Sequence, residues 1–239
     1  RVVGPVHKQA SRVPWHRQRN RPLRIGGSVG HFEITAGTLG CFVSREADGG
    51  EEFLLSNNHV LADENQARRG DAILQPGPAD GGRRVEDRVG ELHRFPRLTK
   101  GRRNHVDCAI ARMIEGIEYH DNDLDGRTLK GVRTRALDEG EPVFKIGRTT
   151  GYREGKVTAI ELDNVQVGYD MGVLVFDDQI EIAPRELGTP FSLGGDSGSL
   201  IWDGDARAVG LLFAGNGSDA TYANPIRRVL SALEAELVY

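Results

Sequence analysis

From about residue 30 onward the chain is cut into short apolar and β-branched runs, each closed by Gly, Asp or Asn. Punctuation this dense leaves no room for long helices, and it is the pattern of antiparallel barrels and sandwiches. Strands are expected at 31–35, 38–44, 52–56, 72–75, 88–94, 107–113, 142–146, 155–161, 172–182, 199–202 and 208–213. That many runs suffice for two closed sheets. The polar, turn-rich stretch 115–137 reads as the link between them, and no repeat of solenoid length is visible. One helix is expected, at the C-terminus: Asn224 as N-cap, Pro225 at the first helical position, and Ile226, Val229, Leu230, Leu233 and Leu237 on one face.

With 38% hydrophobic and 28% charged residues in 239, the composition is that of a water-soluble globular chain. No apolar run approaches the roughly 20 residues that span a bilayer, which argues against a membrane partner. The N-terminus lacks the apolar core of a secretory signal. Cys41 and Cys108 both stand in apolar runs and are expected as buried free thiols, which favours a reducing, cytoplasmic setting. The net charge of −4 is uneven. Residues 1–24 hold seven Lys or Arg and no acid, so the body alone carries −11. This basic arm is expected to be a linker or a segment docked on its own acidic body. It could also meet a flanking domain or regulatory partner. Nucleic acid is disfavoured because the body offers no basic stripe. The expected division is an arm at 1–24, a first β unit at 25–125, and a second β unit with the helix at 126–239.

Three segments carry chemistry. In Gly194-Gly195-Asp196-Ser197-Gly198 a glycine-flanked serine enters an apolar strand. Glycines there permit a sharp turn that brings the Gly195 and Ser197 amides to one point, where they can hold an oxyanion. His59 ends the run Leu54-Leu55-Ser56-Asn57-Asn58, where a strand leaves the core. His7, His16, His31, His93, His105 and His120 lack that context and read as structural. Asp107 opens the apolar run Cys108-Ala109-Ile110. A carboxylate buried there costs several kcal/mol unless donors such as a histidine compensate.

The order His59, Asp107, Ser197, all at strand boundaries, resembles the trypsin-like peptidases of the chymotrypsin clan, closest to their disulfide-poor bacterial and HtrA-type branches. Gly37-Thr38-Leu39-Gly40, Ile146-Gly147-Arg148-Thr149-Thr150-Gly151 and Val209 to Gly215 extend the likeness over residues 30–230. The resemblance implies an all-β fold of two antiparallel six-stranded β-barrels with a C-terminal helix. It further implies a serine endopeptidase acting on protein or peptide substrates without a cofactor. Ser197 would be nucleophile, His59 base, and Asp107 its orienter, with Gly195 and Ser197 as the oxyanion hole. Residues 213–215 would pair with extended substrate. By the same resemblance Phe191 forms the specificity-pocket floor and Phe213, Ala214, Gly215 and Ala220 its surroundings. That pocket favours small or medium uncharged side chains, unless Asp219 swings in to accept a basic one.

Two departures stand out. Ser199 replaces a second glycine after the nucleophile, and Phe213 occupies the place where many relatives have a serine bonded to the triad acid. The rival reading from another class is a catalytically silent protease-fold module that binds peptides. Two other kinds of site are imitated. Asp121-Asn122-Asp123-Leu124-Asp125-Gly126 resembles the start of a calcium loop but lacks the closing Glu, Val132 standing there. Arg1-Val2 and Arg24-Ile25 resemble zymogen cleavage sites, yet Asp196 is expected to be held by internal donors.

Overall fold

The computed structural model describes residues 13–186 and 188–239. Two β-sheets dominate it. Seven strands of the first sheet precede residue 114: β1 (Ser28–His31), β2 (Gly37–Thr38), β3 (Cys41–Arg45), β4 (Glu51–Ser56), β5 (Ala72–Leu74), β6 (Arg88–Arg94) and β7 (Ala109–Met113). Between β4 and β5 lies a single helical turn, α1 (Asn58–Leu61). The second half supplies β8 (Pro142–Gly147), β9 (Gly151–Leu162), β10 (Val165–Tyr169), β11 (Gly172–Phe176), β12 (Gln179–Pro184), β13 (Leu200–Asp203), β14 (Ala208–Gly215), β15 (Thr221–Pro225), α2 (Ile226–Leu233) and β16 (Glu236–Leu237).

Strands β8-β9-β12-β15-β14-β13 close into a six-stranded antiparallel barrel. The first sheet runs β16-β3-β4-β7-β6-β5-β1-β2, an eight-stranded half-barrel that does not close on itself. Double-barrel architecture and terminal helix are thus as the sequence implies, with one sheet closed and the other open.

The apolar runs lack polar alternation because both faces of several strands are buried. Along β13, Leu200 and Trp202 join the large core shared with the first sheet, while Ile201 points into the closed barrel. Along β14, Leu211 and Leu212 divide in the same way. Val143, Ile182, Phe191 and Ala223 complete the barrel interior, and Phe42, Phe53, Leu55 and Ile110 fill the first sheet.

Local readings differ from the structure in four places. The expected strand 31–35 is instead Ser28–His31, and the chain turns directly after His31. The 172–182 run is two strands, because the backbone turns at Asp177-Asp178, where Asp178 adopts φ +61°. β11 folds back on β10 as a hairpin, and Val175 and Phe176 pair with Arg103 and Asn104. Asn224 is not an N-cap. It lies in β15 with its side chain committed to tertiary bonds, and the helix starts only after Pro225. Leu237 is not helical either. α2 stops at Glu234 in the left-handed conformation, φ +53°, and residues 236–237 pair with Ser44 and Val43 of β3.

The segment from residue 13 is docked rather than solvated. Arg17 binds Asp80, Arg19 binds Asp87, Arg24 binds Asp123 and Asp125, and Leu23 is fully buried. Two of the three carboxylates that mimic a calcium loop, Asp123 and Asp125, therefore serve Arg24. Ile25 sits in the core on a continuous chain, while Arg1, Val2, His7, Lys8 and Arg12 lie outside the described residues. Both cysteines are buried free thiols, and burial pushes both thiol pKa values up. No helix among the described residues is long and apolar enough to cross a membrane.

Candidate active site

His59 is carried by α1, immediately after β4 leaves the core, and Asp107 stands just before β7, which pairs with β4. Adjacent strands thus bring residues 48 apart into contact. His59 Nδ1 lies 2.6 Å from Asp107 Oδ2, and the His59 amide donates to Oδ1 at 3.2 Å. Asp107 is fully buried; its own amide donates to Asn224 Oδ1 at 2.8 Å, and Asn57 Nδ2 donates to its carbonyl at 2.7 Å. Tyr169 of β10 donates its hydroxyl to Oδ2 at 2.6 Å.

These contacts fix the charges. Burial would raise the Asp107 pKa, but the histidine and the hydroxyl and amide donors outweigh it and the net shift is downward. Burial would lower the His59 pKa, and the Asp107 carboxylate outweighs that to give a net rise.

Ser197 reaches the same place from the other sheet. It precedes β13, in a turn with Gly195 at φ +94° and Gly198 at φ +93°. A Cβ on Gly195 would lie 2.5 Å from Thr149 Oγ1, and one on Gly198 2.3 Å from the Thr38 carbonyl, so both positions require glycine. The Gly194 carbonyl accepts from Thr149 Oγ1 at 2.7 Å. Across a trans peptide this aims the Gly195 amide the opposite way. Among the described residues neither that amide nor the Ser197 amide has a hydrogen-bond partner, the condition an oxyanion hole requires. The first sheet braces the turn, Thr38 donating from its amide to the Ser197 carbonyl and from its hydroxyl to the Gly195 carbonyl. Ser199 has turned its hydroxyl away onto the Asp196 carbonyl at 2.6 Å.

Asp196 is held from within. Its carboxylate accepts from the Thr149, Thr150 and Leu193 amides and the Thr150 hydroxyl, and Lys145 Nζ lies at 3.1 Å. Both side chains are wholly buried. Burial draws the Lys145 pKa down to about 8 even though Asp196 pulls it upward. Burial likewise opposes the Asp196 charge, and Lys145 with the amides prevails to lower its pKa.

His59 and Ser197 line one cleft of about 440 Å³ together with Phe213, Ala214 and Gly215. The Ser197 hydroxyl makes no hydrogen bond among the described residues, so its link to His59 is the shared cleft rather than a closed contact. Pairing on this side of β14 ends at Leu212, which bonds Ser199 and Gly198, leaving one edge of residues 213–215 open. Two expected pocket residues are elsewhere. Phe191 is 1% exposed within the barrel core, so its ring is no floor, and Ala220 does not line the cleft. The wall belongs to Ser192, whose hydroxyl bonds Thr221 Oγ1 at 2.7 Å, and to Asn216 and Gly217. Asp219 is not among the cleft-lining residues; its carboxylate is tied to Asn216 and Ser218 of its own loop. Glu64, Val167 and Tyr169, none of them singled out by sequence, form the opposite wall.

No protein-family model matches the chain, and no curated protein matches it. Solved structures do. A protease from Nocardiopsis superposes with TM-score 0.62 at 18% identity, covering 92% of this chain and 100% of its own. Protease A from Thermobifida fusca gives 0.61 at 19%, with 92% and 99% covered. A chymotrypsin from Cellulomonas bogoriensis gives 0.58 at 20%, with 90% and 98% covered. The fold is accordingly that of the bacterial chymotrypsin-like serine proteases.

Proposed function

We propose that the protein is a serine endopeptidase in which Ser197 is the nucleophile, His59 the general base, and Asp107 the orienter of the imidazole. Ser197 Oγ attacks the scissile carbonyl as His59 Nε2 takes its proton. The electron pair displaced onto the carbonyl oxygen is held by the Gly195 and Ser197 amides. Collapse breaks the C–N bond, the amine leaves with the proton from His59, and water repeats the sequence to release the acid. The observation that carries this reading is the buried carboxylate paired to His59 at 2.6 Å, opening on a cleft shared with the nucleophile turn and its unpartnered amides.

Extended substrate would add to the open edge of residues 213–215. Ser192, Ala214, Gly215, Asn216 and Gly217 bear no charge, which supports preference for an uncharged side chain on the acyl side of the cut bond. Profiling a mixed peptide library checks this; dominant cutting after Lys or Arg would overturn it.

The reaction itself is tested by mass spectrometry after treatment with a serine-directed fluorophosphonate. One adduct on Ser197 is expected, with label and turnover lost by several orders of magnitude in Ser197→Ala and His59→Ala. An unlabelled wild-type protein, or full labelling of Ser197→Ala, would overturn the reading and leave a peptide-binding module on a protease fold.

A further inference from the structure

The Asp107 carboxylate has more donors than its histidine alone provides. Oδ2 receives His59 Nδ1 and the Tyr169 hydroxyl, both at 2.6 Å. Position 213, where many relatives have a serine bonded to the triad acid, holds a phenylalanine with no donor to give. Its ring serves the replacement. Phe213 packs on Phe176 with centroids 4.7 Å apart, Phe176 stacks on Tyr169 at 6.0 Å, and Tyr169 meets the His59 ring edge-on at 5.9 Å.

The β10–β11 hairpin that carries Tyr169 is fastened to the elements bearing His59 and Asp107. At its tip the Asp170 and Met171 amides donate to Glu64, from the loop after α1, at 3.0 and 3.1 Å. At its base Val175 and Phe176 pair with Arg103 and Asn104, just ahead of Asp107. Val167, Gly168 and Tyr169 of the same hairpin line the cleft. Burial and the Asp107 charge push the phenol's ionisation far up, so it keeps the proton it donates.

We infer that Tyr169 is a positioning residue for the Asp107–His59 pair, and that its hairpin ties one wall of the substrate cleft to the orientation of the base. The inference rests on the proteolytic reading above. A neutral donor on Oδ2 fixes the carboxylate rotamer and draws off part of the charge that the imidazole feels. Its positive end also opposes imidazolium formation. The groups facing His59 are Asp107 before β7, Tyr169 on β10 and Glu64 after α1, and substituting Tyr169 leaves both carboxylates in place.

The test follows the His59 imidazole by NMR titration of protein labelled at histidine Cε1, which needs no turnover. Tyr169→Phe removes one oxygen and keeps the ring. Its His59 midpoint is expected to rise by about half to one pH unit, and fluorophosphonate labelling of Ser197 to slow about tenfold. Val167→Ala, which alters the same wall, is expected to change KM and leave the midpoint alone. An unmoved midpoint in folded Tyr169→Phe, or an equal shift in Val167→Ala, would overturn the inference. Should Tyr169→Phe not fold, replacing the five tyrosines by 3-fluorotyrosine strengthens the donor in the native sequence. The midpoint should then fall, and no change would again overturn the inference. A wild-type protein unreactive to fluorophosphonate sinks the proteolytic reading instead, while the titration still reports on Tyr169.

Discussion

Asp196 and Asp107 are two buried carboxylates a few residues from the chemistry, and they are anchored in opposite ways. Among the described residues every donor to the Asp196 side chain, from Lys145, Thr149, Thr150 and Leu193, belongs to the closed barrel or its own loops. Asp107 takes His59 from its own sheet but leans on Tyr169 and Asn224 from the other half of the chain. The Asp196 carboxylate beneath the oxyanion turn is therefore satisfied within one half, although Thr38 of the first sheet also braces the turn's carbonyls, whereas the pair that would activate the nucleophile is completed only when the halves meet. The difference separates what a mutation can damage: local charge balance at Asp196, docking geometry at Asp107.

The sharpest way to break this contrast is Lys145→Met. It leaves the Asp196 carboxylate buried without its counter-ion, and a loss of about 3–5 kcal/mol in urea unfolding is expected, together with loss of turnover. A stable, active variant would mean that the amides and the Thr150 hydroxyl hold the turn unaided.

Asn224→Ala probes the other anchor. It strips the Asp107 amide of its acceptor and Gln179 Oε1 of its donor at 2.7 Å. About 1–3 kcal/mol of stability should be lost, with turnover falling while the Asp196 site stays intact. An equal loss from an Asn224 variant that keeps full turnover would show that docking matters to folding alone.

The smallest effect is a pH limb in the unmodified protein. His59 must be neutral to accept a proton, and its pKa stands above the ordinary 6.5 because Asp107 outweighs burial. kcat/KM should accordingly climb with pH through a limb lying above the ordinary histidine value of 6.5. A limb at or below 6.5 would place desolvation ahead of the carboxylate and remove Asp107 as the dominant partner.

His59, Asp107 and Ser197 could be singled out in the sequence because each sits where an apolar run meets a turn, and their order and the family resemblance, rather than any one local signature, joined them into a candidate site. Lys145 was hidden for the opposite reason: a lysine within an apolar strand gives no sign of which buried acid it meets. Tyr169 was concealed by continuity. Residues 172–182 read as one strand, so the hairpin that delivers the phenol had no second arm. Asn224-Pro225-Ile226 fits a helix start as well as a strand end, and only the Asp107 amide 117 positions earlier decides between them. Phe191 was misplaced because the pocket wall begins one residue later, at Ser192, while the Phe191 ring packs inside the closed barrel. The double-barrel architecture, which depends on many runs rather than one, tolerated these local errors.

The pairing of residues 236–237 with β3 covers a sheet edge. Without it Val43 and Ser44 would present unpaired backbone groups at an open edge, the kind of edge on which chains associate wrongly. The sheet built from residues before 114 is thus sealed by a segment that follows the closed barrel in the chain.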